Sequence, residues 1–163
     1  MVFEDDCLPQ PAMACWPDLK RYLEKNHKHW DVFYGGATAV HPQRWRCDYR
    51  RDHAHIIECS NALSVHFVVY NQSSFAKILA WFDLPAAEEA RPVVDDYLRQ
   101  SGLRLWTTAP MLAIQRPSFS RTLNREVDYT EDFRRAEKKL FAFVQMRKRS
   151  LAYRLFGPWL SSV

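Results

Sequence analysis

The chain has 163 residues, 47% of them hydrophobic and 14% aromatic, with 23 basic and 19 acidic side chains for a formal charge of +4. This is enough apolar material for one folded domain, and it excludes a disordered chain. Much of the basic excess lies after residue 133, in Arg134, Arg135, Lys138, Lys139, Arg147, Lys148, Arg149 and Arg154, which is a local patch and not a basic protein.

Four glycines beside nine prolines leave no Gly-rich phosphate cradle, which argues against nucleotide sites of the Rossmann and Walker types. Cys7, Cys15, Cys47 and Cys59 contain no Cys-x-x-Cys pair, which removes the usual zinc-finger and thioredoxin readings and favours reduced thiols. There is no signal-peptide pattern, and no apolar run approaches the roughly 18 to 20 residues of a transmembrane helix. The expectation is a cytoplasmic protein, peripheral to a membrane at most.

In chain order, Val2-Phe3 runs straight into Glu4-Asp5-Asp6, a short apolar strand ending in three carboxylates. Carboxylates at a strand tip suit Mg²⁺ or Mn²⁺, hard cations that keep waters and take phosphate oxygens as further ligands. On a strand, Glu4 and Asp6 would project to one side and Asp5 to the other. The competing reading is a solvated acidic tail.

The segment Pro17 to His29 has helical spacing at Leu19, Tyr22 and Leu23, and Trp30 to Tyr34 reads as a buried strand. Gly35-Gly36 then offers positive φ for a sharp turn. His55-Ile56-Ile57 and Val65 to Tyr70 fit two more strands, with Asn61 in the turn between them. Ser73-Ser74 can cap a helix over Phe75 to Phe82, whose Phe75, Ile78, Leu79 and Phe82 repeat at i, i+3, i+4 and i+7.

Pro92 to Leu98 begins a second helix with Asp95 and Asp96 in its first turn, and Leu103 to Thr107 is a strand leading to Pro110. Thr130 to Arg154 is helical again, with Phe133, Ala136, Leu140, Phe143, Val144 and Met146 mostly on one face. Alternating helix and strand predicts an α/β sandwich with a mostly parallel sheet.

Several groups could carry chemistry. The pairs His27/His29 and His53/His55 have metal-sharing spacing, although His27/His29 in a Lys-rich helix end reads as solvated. His66, inside an apolar strand, is balanced between a core histidine and a site residue. Asp95-Asp96 reads as a general base, a metal ligand or a complement to the helix dipole. Gln115-Arg116-Pro117-Ser118-Phe119-Ser120 is a stiff polar loop able to offer amide, guanidinium and hydroxyl groups to a sugar or phosphate. The C-terminal mixture of Arg147-Lys148-Arg149 with Leu151, Tyr153, Leu155, Phe156 and Trp159 has the composition of an interfacial helix, against the alternative of a solvated face with a docked aromatic tail.

Taken together, five segments resemble glycosyltransferase family 25, which includes bacterial lipooligosaccharide sugar transferases and collagen galactosyltransferases. Val2 to Asp6 is similar to its apolar-strand-then-Glu-Asp-Asp motif, and Trp30 to Gly36 to its Trp-Asp-hydrophobic run ending in a glycine pair. Val65 to Asn71 resembles its Thr-His-Ala-Tyr segment with His66 in register, Val94 to Leu98 its Val-Asp-x-x-Leu helix start, and Ala113 to Ser120 its Gln-Arg-Pro-Ser-x-Ser loop. The residue that the family usually carries before the glycine pair is absent here, and the threonine and alanine beside the histidine are changed.

The resemblance implies an α/β fold with a partial GT-A-like mixed sheet flanked by helices, lacking the N-terminal nucleotide-binding half, because the motif that lies mid-domain in the family stands here at residue 4. Residues 1–129 would form the transferase-like portion, and residues 130–163 a basic amphipathic helix and aromatic tail packed on it. The implied activity is sugar transfer from a nucleotide-sugar donor to a glycan or lipid-linked acceptor, without nucleic acid. Glu4, Asp5 and Asp6 would hold Mn²⁺ or Mg²⁺, with Asp95 and Asp96 as catalytic carboxylates. His66, Gln115, Arg116, Ser118, Gly35 and Gly36 would contact substrate. The alternative is a catalytically inactive module derived from the same fold that binds or assembles. An N-terminal strand without its neighbours would offer an edge for self-association, and the basic helix would support peripheral membrane contact.

Overall fold

The computed structural model describes residues 1–50, 54–85, 92–120 and 124–160, with residue 50 and residues 151–160 as backbone only. His53 and the side chains of Leu151, Tyr153, Leu155, Phe156 and Trp159 therefore lie outside the described residues.

Strands β1 (Val2–Phe3) and β2 (Cys7–Pro9) open the chain, followed by helix α1 (Trp16–Lys25), β3 (Val32–Tyr34), β4 (Ala39–Arg50), β5 (Ala54–Leu63) and β6 (Phe67–Tyr70). Helices α2 (Phe75–Phe82) and α3 (Val94–Gln100) precede β7 (Leu105–Ala109), β8 (Ala113–Gln115), β9 (Ser118–Ser120) and β10 (Arg125–Val127), and the long helix α4 (Thr130–Leu160) ends the described chain. Six strands form one sheet in the order β1-β6-β3-β7-β5-β4, while β2 pairs with β8 and β9 with β10 in two small ribbons.

The α/β class is as expected, but the mostly parallel sheet is not. Among the described residues only β3 and β7 pair in parallel, and every other pairing is antiparallel. The physical reason is connection length. A parallel neighbour needs a long crossover, and the chain between β3 and β7 runs through β4, β5, β6, α2 and α3, whereas β4 and β5 are joined by only a few residues and must return antiparallel.

The two sheet faces follow from strand alternation. Val32 and Tyr34 of β3 and Ile57 and Cys59 of β5 face one way, packing with Leu98 of α3 and with Phe133, Ala136, Leu140 and Val144 of α4. Phe33, Ile56, Phe67 and Trp106 face the other way, against Leu19 and Leu23 of α1 and Trp30. One helix thus covers one face, and α3 and α4 cover the other.

Three local expectations change. Asn61 lies within β5 opposite His41, not in a turn, because the unforeseen strand β4 extends the pairing to Leu63. The chain turns one residue later at Ser64, whose φ is +100°. Ser73 and Ser74 precede α2 without capping it: Ser73 donates to Asp31 Oδ1 at 2.5 Å and Ser74 to the Asn71 carbonyl at 2.8 Å. The apolar stripe of α2 does not enter the core either, since Phe75, Leu79 and Phe82 are 50%, 62% and 59% exposed and only Ile78 packs against buried residues. Among the described residues, no helix is long and apolar enough to cross a membrane.

Candidate functional site

The three N-terminal carboxylates stand on a turn, not on a strand. The Glu4 N–H donates to the His66 carbonyl at 3.0 Å, and the Cys7 N–H donates to the Glu4 carbonyl at 3.1 Å. That turn carries the chain from the edge of the six-stranded sheet into the β2–β8 ribbon, so the two-apart geometry of a strand does not apply to Glu4 and Asp6.

Asp6 is the buried member of the three. Its Oδ2 accepts from Gln115 Nε2 at 2.7 Å and from Ser118 Oγ at 3.1 Å. Its carbonyl accepts the Arg116 N–H at 2.9 Å, and the Arg116 guanidinium donates to the Asp5 carbonyl at 3.3 Å. The Gln-Arg-Pro-Ser segment is therefore wrapped around the acidic turn. Among the described residues, Asp6 Oδ1 is buried with no partner.

Asp95 approaches from the first turn of α3. Its Oδ2 accepts the N–H of Ser64 at 3.0 Å, while Oδ1 is buried and, among the described residues, unpartnered. Ser64 holds the left-handed backbone that turns β5 toward β6, and its hydroxyl lies 3.2 Å from Thr38 Oγ1. Glu4, Asp5, Asp6, Asp95, Gln115 and Ser118 line one cavity of about 800 Å³, together with Thr38, Ser64, Phe119, Ser120 and Tyr129. Thr38 follows the carboxyl end of β3, one of the two parallel strands, which is where open α/β sheets commonly place ligands.

Burial pushes the Glu4 carboxyl above its ordinary range, and the neighbouring charges of Asp6, Asp95 and Asp5 push it further. Burial likewise raises Asp95, opposed by the Ser64 N–H and reinforced by Asp96. The cavity thus concentrates negative charge in a partly desolvated space.

The other expected site residues do not line this cavity. His66 is buried, its Nε2 lies 3.2 Å from the Ala113 carbonyl, and its ring meets Phe133 edge-on at 5.0 Å. Burial lowers its proton affinity, with the Ala113 carbonyl and Asp6 opposing. A neutral imidazole donating from Nε2 fits these contacts, and it braces the strand behind the acidic turn.

Gly35 and Gly36 serve close packing. A Cβ on Gly35 would stand 2.1 Å from the Phe67 ring, and one on Gly36 would stand 2.0 Å from the Ala113 carbonyl oxygen. Neither takes the positive φ expected of a sharp turn. Asp96 pairs with Arg99 at 2.8 Å on the surface of α3. His27, His29 and His41 are exposed, and His55 is buried against Asp48 Oδ1 at 2.5 Å.

Thr38, Ser64 and Tyr129 were not visible as site residues in the sequence. Each sits beside the segments that carry the motifs, in ordinary polar or aromatic surroundings without a recognisable spacing.

Among the described residues, no group of three or more His, Cys, Asp or Glu side chains is placed to hold a metal ion. What the cavity offers a hard cation is fewer donors than that: Asp6 Oδ1, buried without a partner among the described residues, and the Glu4 carboxyl, whose charged form is disfavoured by burial first and by its acidic neighbours after it. Mg²⁺ and Mn²⁺ are commonly bound through one or two carboxylates, with waters and phosphates completing the shell. No protein-family model, curated protein or solved structure matches the chain.

Proposed function

We propose that this chain is a metal-dependent sugar transferase of the family 25 type, moving a sugar from a nucleotide-sugar donor to a hydroxyl of a glycan or lipid-linked acceptor. The observation that carries this reading is convergence. Glu4, Asp5, Asp6, Asp95, Gln115 and Ser118 come from three distant stretches of sequence, each matched to a motif of the resemblance, and they line the same cavity.

In this reading Glu4, Asp5 and Asp6 hold the divalent cation. When bound, that cation offsets the charge that develops on the departing diphosphate. Gln115 and Ser118 fix the Asp6 carboxylate through Oδ2 and leave Oδ1 available as a donor atom. Asp95 accepts the proton of the acceptor hydroxyl as the new glycosidic bond forms and the bond from the anomeric carbon to the phosphate oxygen breaks. Its raised proton affinity suits a general base. Asp96, tied to Arg99 outside the cavity, is the weaker candidate. That no three such side chains among the described residues are placed to hold a metal favours a second reading, a binding module that holds a glycan without metal.

The test is calorimetry of the full chain with uridine or guanosine diphosphate, with and without Mn²⁺. The transferase reading expects nucleotide binding that requires Mn²⁺ and weakens about 10-fold or more in Asp6→Asn. Nucleotide binding that ignores Mn²⁺, or none at all, sinks it, and glycan binding in EDTA would then favour the module.

A further inference from the structure

The acidic cavity has a second wall, which the carboxylates do not form. Leu63, Val65, Val127 and Tyr129 line it. Leu63, Ser64 and Val65 are consecutive where β5 turns toward β6, and Asp95 accepts the Ser64 N–H at 3.0 Å, so this apolar wall stands beside the Asp95 carboxylate. Val127 ends β10, and Tyr129 immediately precedes α4. Val65 and Tyr129 also pack on the buried cluster that holds Leu98 and Phe133, which fixes the tyrosine ring from behind. Tyr129 itself is partly exposed, and among the described residues its hydroxyl has no hydrogen-bond partner.

The charge of the cavity has one sign. Glu4, Asp5, Asp6 and Asp95 line it, and no Lys, Arg or His does. Arg116 beside the turn donates to the Asp5 carbonyl and is not part of the lining. Glu4 and Asp5 are exposed residues, so their field reaches a ligand in the space. An anion that brings no cation is repelled there. A wholly apolar ligand would strip water from the carboxylates and from the Thr38 and Ser64 hydroxyls without replacing it. A sugar ring suits both walls, because its C–H face can lie on aromatic and aliphatic side chains while its hydroxyl edge meets carboxylates and hydroxyls.

We propose that the wall of Leu63, Val65, Val127 and Tyr129 seats an uncharged sugar ring, with Tyr129 against its C–H face, so that the cavity takes neutral glycans and rejects acidic ones. The inference rests on the reading of this cavity as a sugar site, which the transferase and the glycan-binding module share. In the transferase this wall is the acceptor subsite, since it adjoins Asp95.

The test is saturation-transfer NMR on the full chain in EDTA, without nucleotide. The neutral probes are the methyl glycosides of glucose, galactose and mannose, and the acidic probe is methyl glucuronide, which differs from the glucoside by its carboxylate. At least one neutral glycoside is expected to bind wild type through its ring C–H protons, and the glucuronide to give no transfer. Tyr129→Phe is expected to keep binding, and Tyr129→Ala to weaken it about threefold or more. Should Tyr129→Ala lose its cooperative melt, Tyr129→Leu, which keeps apolar volume but removes the ring, is expected to show the same loss. The proposal is overturned if no neutral glycoside binds wild type, if the glucuronide binds as tightly, if the ringless variant binds as wild type does, or if spermidine binds and no glycoside does. Sugar binding beside a failed Mn²⁺-dependent nucleotide titration keeps this inference and removes the transferase reading, and the opposite pair of results removes only this inference.

Discussion

Asp95 gives the acidic cavity a pH signature. Burial first, and Asp96 after it, raise its carboxyl above the ordinary value of 3.8 despite the Ser64 N–H. As pH rises, the unfolded chain therefore loses this proton before the folded one does. Folding stability falls as pH climbs from the unfolded value through the raised folded value, and the penalty is absent at lower pH. Asp95→Asn keeps an acceptor for the Ser64 N–H and removes the penalty. In EDTA it is expected to melt about 2–4 °C above wild type at pH 7, with the gap closing below about pH 4, as scanning fluorimetry would show. Gly36 is a second sensitive point. A methyl group there meets a backbone carbonyl oxygen and not a movable side chain, so Gly36→Ala is expected to cost about 3 kcal/mol or more in a urea titration. In sequence, a glycine pair after a strand signals a turn equally well whether it is needed for positive φ or for the missing Cβ. Only the packing of Phe67 and Ala113 distinguishes the two.

Among the strands of the six-stranded sheet, β4 is the one that the sequence does not reveal. Its residues, Ala39 to Arg50, include Pro42, three arginines at 44, 46 and 50, and Asp48, a pattern that reads as loop by propensity. It is a strand because β5 supplies the whole partner ladder, a tertiary cause that local composition does not carry. The stripe on α2 misleads in the opposite sense: the spacing is helical and the helix exists, but spacing does not say whether a neighbour covers it. Asp31 ties three elements together. It accepts from the Arg104 backbone at 2.9 Å and from its guanidinium at 2.8 Å, and from Ser73 ahead of α2. The bonds from Arg104 are the first cause holding its carboxyl far below the usual range, with burial opposing. A depressed folded value stabilises above the unfolded one and is lost as pH falls. Asp31→Asn is therefore expected to cost about 2 kcal/mol at pH 7, discounted for the half-exposed guanidinium, and progressively less in acid, measured by denaturation at several pH values.

For the whole molecule, class and helix positions were legible because α1, α3 and α4 bury faces that recur at helical spacing. The strand directions were not, since a run of β-branched residues does not record which way its neighbour points. The cavity was legible only as motifs in order. The β2–β8 ribbon, which brings Gln115 back beside Asp6, has no signal in Cys7-Leu8-Pro9. That ribbon also gives the acidic turn a mechanical position. Among the described residues, β1 pairs with β6 alone at the sheet edge and β2 with β8 alone, and three residues, Glu4, Asp5 and Asp6, join them. A ligand that grips Asp6 shortens the excursions of both strands together. Amide hydrogen exchange along β1 and β2 is therefore expected to slow in step when Mn²⁺ and nucleotide are added, although neither strand touches the cavity, and unequal slowing would show that the turn does not transmit restraint.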